Sequence, residues 1–184
     1  LDDPLNPRTT SVTPMTDMRA SALQFRYLFA TDADGLKVFD TTDLDKPKLV
    51  QGATIPIKDA RKLYLARTYA YVAAKTEGLV IVDIENPAAP TVYQNFTADG
   101  ALNDAEDVIV ATTNASLFAY VADGRNGLKV LQLTSPESQR NFYGFSPEPK
   151  PELIAWRKTA KPALGLSKGI DRDRAVDETG HQMA

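Results

Sequence analysis

The sequence predicts an all-β chain built from one repeated four-stranded antiparallel unit, and three observations predict it. A glycine-led strand motif occurs three times. Each copy is cut into short runs of Val, Ile, Leu, Tyr and Phe by clusters of Gly, Pro, Asp and Asn, and no helix is predicted anywhere. The chain has 184 residues, 43% of them hydrophobic and 24% charged, which is a globular composition with enough apolar surface for a core.

Residues 1–16 hold three prolines and five Thr or Ser with little periodicity, so they read as an extended lead-in or linker, and the fold starts near Asp17. Asp34-Gly35-Leu36-Lys37-Val38-Phe39-Asp40 then recurs as Glu77-Gly78-Leu79-Val80-Ile81-Val82-Asp83 and as Asn126-Gly127-Leu128-Lys129-Val130-Leu131-Gln132, with glycines 43 and then 49 residues apart. Tyr27-Leu28-Phe29-Ala30, Ala70-Tyr71-Val72-Ala73 and Ala119-Tyr120-Val121-Ala122 each end five residues before their glycine. Asp59-Ala60-Arg61 and Asp104-Ala105-Glu106 open the second and third copies, with a weaker equivalent at Asp17-Met18-Arg19.

In the second copy the predicted strands are 62–66, 69–74, 78–84 and 91–94. A two-residue break at Arg67-Thr68 joins only antiparallel neighbours, because a parallel return needs a dozen residues or more. The unit is therefore a four-stranded meander. Gly35, Gly78 and Gly127 are expected at positive φ, where a Cβ would clash.

A four-stranded unit of 43 to 49 residues has the size of a propeller blade, so the expected fold is a partial β-propeller. Its blades fall at about 17–50, 59–94 and 104–157, and the start of a further blade is expected across 170–184. A chain ending inside a hairpin leaves an unpaired edge, so this sequence is expected to be a piece of a longer protein, or else to close its ring by oligomerising.

Gly78-Leu79-Val80-Ile81-Val82-Asp83-Ile84-Glu85-Asn86-Pro87 resembles the signature of the LVIVD-repeat family, and Ala70-Tyr71-Val72-Ala73 fits its usual lead-in strand. The resemblance spans roughly residues 17–155. Gln132 departs from it where an Asp is usual, and Leu44 where the first proline is usual. The resemblance implies a β-propeller of a bacterial or archaeal secreted or cell-surface protein, in a family without a defined biochemical role. It also implies kinship with proteins that accompany extracellular multihaem cytochromes.

Composition removes several classes of chemistry. The chain has no cysteine, hence no disulfide, thiolate metal site or haem attachment of its own. A net charge of −3 without any basic cluster argues against nucleic acid, and no apolar run approaches a membrane-spanning length. No Gly-x-Ser-x-Gly elbow or phosphate loop occurs, and the single His181 cannot assemble a triad or a histidine metal site.

The remaining hint is geometric. In a propeller the turns between second and third strands share a face with the connections between blades. That gathers Asp32, Asp34, Glu77, Asp123 and Arg125 near Asp59 and Asp104 as a ligand or partner face. Calcium is the cofactor such a face suggests, since Asp32-Ala33-Asp34-Gly35 begins like a hard-cation loop, although an ordinary Asp-Gly turn accounts for the same residues. No other cofactor and no catalytic residue is expected. The functional expectation is a non-enzymatic interaction or scaffold module whose partners are other blades, other subunits or another protein. The alternatives are an enzyme with its site in further blades and an accessory subunit of an electron-transfer complex.

Overall fold

The computed structural model describes residues 5–113, 116–135 and 145–168. Twelve strands form three separate antiparallel sheets with no helix among the described residues. β1 (Ala20–Gln24), β2 (Tyr27–Asp32), β3 (Gly35–Asp40) and β4 (Lys48–Pro56) make the first. β5 (Leu63–Ala66), β6 (Tyr69–Ala73), β7 (Leu79–Asp83) and β8 (Thr91–Phe96) make the second, and β9 (Asp107–Thr113), β10 (Ser116–Ala122), β11 (Leu128–Thr134) and β12 (Glu152–Arg157) the third. In each sheet the spatial order equals the chain order, as a meander requires.

The three sheets stack as consecutive blades of a partial β-propeller. β5 lies against both β1 and β9, so the first strands gather along one axis. Alternation along each central strand splits the apolar residues between two interfaces. Ala70, Val72, Ala74, Val80, Val82 and Ile84 turn toward the first blade and pack on Phe29, Leu36, Val38, Ala53, Ile55 and Ile57. Tyr69, Tyr71, Ala73, Leu79 and Ile81 turn the other way and pack on Val108, Val110, Leu117, Ala119, Val121, Leu131 and Leu133 of the third. The middle blade is thus apolar on both faces, which is why 79–82 reads as an unbroken hydrophobic run.

The registers add two things that spacing does not carry. Every blade slips register between its third and fourth strands, at Lys37/Phe39, Ile81/Val82 and Val130/Leu131, a bulge that bends each outer strand at the same height. The first blade also differs from the alignment by distance to the glycine. Phe29 pairs with Val38, as Tyr71 pairs with Ile81 and Tyr120 with Val130. Phe29, rather than Leu28, is therefore the counterpart of Tyr71, and the first turn is one residue shorter. A slip of one residue reverses which side chains face inward, and Phe29 is accordingly fully buried while Leu28 is half-buried.

One contact is repeated between blades. Lys75, in the β6–β7 turn, exchanges both backbone hydrogen bonds with Ala105, just ahead of β9 (2.9 and 3.2 Å). Gly124, in the β10–β11 turn, exchanges the same pair with Ala163 (3.1 and 2.9 Å). Leu166 N–H then donates to the Asp107 carboxylate at 2.8 Å. Residues 162–166 thus leave the third blade as 104–108 leave the second, toward the position of a fourth first strand. The segment 170–184, where the sequence places that strand, lies outside the described residues.

Candidate functional site

The turns between second and third strands and the connections between blades do share one end of the propeller, as the two bridges require. What the sequence leaves unseen is that nearly every carboxylate there is held by its own cation. Asp32, fully buried, accepts from the N–H groups of Asp34 (2.9 Å) and Gly35 (3.2 Å) and from Lys37 Nζ, which also reaches Asp34 at 3.0 Å. Burial raises the Asp32 pKa, but the hydrogen bond from Lys37 and the turn N–H groups outweigh it and the net shift is downward. Asp59 takes Arg19 Nη1 at 2.6 Å and Arg61 Nη2 at 3.1 Å, with the same net direction. Glu77 stands apart, half-buried, its N–H closing the turn onto Ala74 O.

Asp104, Asp123 and Arg125 form one cluster where the second and third blades meet. Asp104 is 6% exposed and accepts from Lys75 Nζ, from Arg125 N–H (3.0 Å) and from Arg125 Nε (3.2 Å). Burial pushes its pKa upward, yet the Arg125 N–H, the Lys75 ammonium and the Arg125 guanidinium together bring it from 3.8 to about 2. Asp123, fully buried, accepts Asp104 N–H at 2.7 Å and Asn103 N–H at 3.2 Å on Oδ1. Its Oδ2 has no hydrogen bond and lies 3.9 Å from Lys129 Nζ, so burial dominates and the pKa rises.

The low Asp104 pKa carries a pH signature. The unfolded chain takes up that proton at a higher pH than the folded chain, so the contribution is complete above pH 3.8 and lost toward pH 2. The shift corresponds to about 2 kcal/mol. Asp104→Asn is expected to lose about that much at pH 7, and to flatten the acid limb of a stability-against-pH curve measured by urea denaturation. An acid limb as steep as that of the unmutated chain would show that the carboxylate does not contribute.

These contacts join into a line of alternating charge across all three blades. Arg19 bridges Asp17 (2.9 Å) and Asp59, Arg61 lies between Asp59 and Glu106 (3.7 Å), and Lys75 bridges Glu106 (2.6 Å) and Asp104. Arg19, Arg61, Lys75 and Glu106 were not among the residues expected here. A signal for three of them exists in the sequence: Arg19, Arg61 and Glu106 each stand two residues after the Asp that opens a copy, and the propeller brings that position to the axis three times. Beside it, Arg19, Arg61, Lys62, Glu106 and Leu164 line a cavity of about 220 Å³.

A calcium reading finds no donor set here. Among the described residues no three His, Cys, Asp or Glu side chains are placed to hold a metal, and the Asp32 and Asp34 oxygens face Lys37. A hard cation would have to displace an ammonium already in place.

The family model of the LVIVD repeat matches residues 58–98 and 104–138. The chain carries LVIVD repeats. They coincide with the second and third blades, and the first blade, with Leu44 at the usual proline position, forms the same sheet without matching the model. No curated protein matches the chain in sequence. In structure it is similar to a candidate 6-phosphogluconolactonase from Bacteroides uniformis ATCC 8492, with TM-score 0.63 and 17% identity over 87% of this chain and 49% of that one. At that identity the likeness concerns the fold, and the chain spans about half the length of that structure. No helix among the described residues is long and apolar enough to cross a membrane.

Proposed function

We propose that this chain is a non-enzymatic propeller module that works by interaction, presenting the outer face of its third blade to a further blade of the same repeat type. One observation carries the reading. Phe118, Tyr120, Ala122, Leu128 and Val130 occupy, in the register of β10 and β11, the positions that Tyr69, Tyr71, Ala73, Leu79 and Ile81 occupy in β6 and β7. The second-blade set is at most 7% exposed, because the third blade covers it. The third-blade set faces away from the second blade, and all but Ala122 remain half-buried. Its complement is the set the third blade shows the second, small and branched aliphatic residues. More of the same chain or another subunit could supply that blade, and a structural relative twice as long supports a larger ring. Placement in an exported or cell-surface protein is part of the proposal and rests on the family resemblance alone. A catalytic reading would draw on the lactonase description of that relative, and a 17% likeness does not extend to a reaction.

The test compares equivalent tyrosines. Tyr71→Lys buries a charge between two blades and is expected to cost more than about 4 kcal/mol in urea denaturation. Tyr120→Lys, at a half-buried position, is expected to cost only about 1–2 kcal/mol, and to weaken binding of an apolar dye. Equal costs at the two positions would mean that the third-blade face is already interior, and the proposal would fail.

A further inference from the structure

We infer that the cavity at the axis binds a short aliphatic monocarboxylate, an inference independent of the blade-docking proposal. Three cations and one carboxylate line it, Arg19, Arg61, Lys62 and Glu106, in a chain whose net charge is negative. The cations differ in how far they are already engaged. Arg19 is largely engaged: Nη1 reaches Asp59 (2.6 Å) and Ala60 O (2.9 Å), and Nε and Nη2 both reach Asp17 (3.1 and 2.9 Å). Arg61 gives only Nη2 to Asp59, and its Nε, shielded from solvent, has no hydrogen-bond partner. Glu106 Oε2 lies 3.7 Å from that Nε, too far for a hydrogen bond, while Lys75 holds the other Glu106 oxygen at 2.6 Å. Lys62 is exposed and joins no ion pair among the described residues.

The Arg61 side chain as a whole is 33% exposed, so its guanidinium presents an accessible edge to the cavity with the Lys62 ammonium beside it, an arrangement suited to a planar anion. Carboxylate and phosphate can both meet that edge, and the wall decides between them. Glu106 stands within the cavity and repels a dianion more than a monoanion. Leu164 gives an apolar wall for a short chain. A volume of about 220 Å³ lies below the roughly 300 Å³ at which drug-sized ligand pockets begin.

The test is a titration of the ¹⁵N-labelled chain with propionate, with N-acetylglutamic acid α-amide as a stand-in for an acidic side chain, and with phosphate and chloride at equal ionic strength. Propionate is expected to move the Arg61 Nε–H and Lys62 amide signals saturably. In Lys62→Gln the apparent affinity is expected to fall about tenfold, with the remaining spectrum unchanged. Tighter binding of the glutamate amide than of propionate would assign the carboxylate to a partner protein, and the reverse order to a free acid; either supports the site. Shifts that chloride reproduces, shifts that never saturate, or phosphate binding more tightly than both carboxylates would overturn it.

Discussion

Gly78→Ala is expected to destabilise the chain by more than about 4 kcal/mol, and Gly52→Ala by only about 1–2 kcal/mol. Both glycines hold positive φ, +73° and +82°, so a side chain costs each of them the same kind of backbone strain. The difference is space. A Cβ on Gly78 would stand 2.3 Å from Phe96 O and 3.2 Å from Leu102 O, whereas a Cβ on Gly52 meets nothing within 4 Å. Phe96 O belongs to β8 of the same blade, and as backbone it cannot rotate aside. The β7–β8 pair must part or the turn must shift. Gly35 and Gly127 are set against the fourth strands of their own blades in the same way, at 2.1 Å from Ile55 O and 2.2 Å from Arg157 O. Urea denaturation of the two variants decides the matter, and equal losses would mean that the fourth strand does not press on the turn.

Asp123→Ala is expected to cost about 3–5 kcal/mol, because it leaves Lys129, itself 6% exposed, as a buried charge without its partner. It also frees the N–H groups of Asn103 and Asp104. The chain contains its own control for the charge. In the first blade the equivalent pair is Asp32 with Lys37, and in the second blade both members are apolar, Ala74 and Val80. Acid and base are kept or lost together, as electrostatic pairing in a dry interface demands. The double variant Asp123→Ala, Lys129→Val copies the second blade. It is expected to recover part of the single loss, with a coupling of about 1–3 kcal/mol. Recovery stays partial because the two N–H groups remain without an acceptor. A double-mutant cycle by urea denaturation measures the coupling, and strictly additive losses would end the pairing argument.

Particular residues show how much of the fold and the site was legible in the sequence. The motif around Gly78 fixed the meander, the apolar alternation and the positive φ, because all three depend on neighbours within a few positions. The apparent alignment of Tyr27-Leu28-Phe29-Ala30 misled by one residue. Distance along the chain does not record whether a turn encloses two residues or three, and only the Phe29–Val38 pairing does. At the site, Asp32, Asp59, Asp104 and Asp123 were named from the turns and the connections between blades, and of their cations only Arg125 was named with them, while Lys37, Arg19, Arg61, Lys75 and Lys129 were not. Arg19 lies 40 residues from Asp59 and Lys75 lies 29 from Asp104. Such pairs exist only once the blades stand side by side. An acidic rim in sequence thus became a charge-balanced seam in space.

The paired amide exchange between Lys75 and Ala105, and again between Gly124 and Ala163, bears on how this array tolerates change. The third blade, and the segment that follows it, take their angular position from the hairpin before them, rather than from the number of residues in between. Extra residues upstream of the clasp form a surface excursion without displacing the next blade. Of the six residues by which the glycine spacing grows from 43 to 49, two stand ahead of the clasp at Ala105 and four lie in the longer β9–β10 hairpin, and the stack stays regular. Lengthening the β8–β9 connection ahead of Ala105 should therefore be benign, while a proline at Ala105, which removes one of the two amides, should unfasten the third blade from the second.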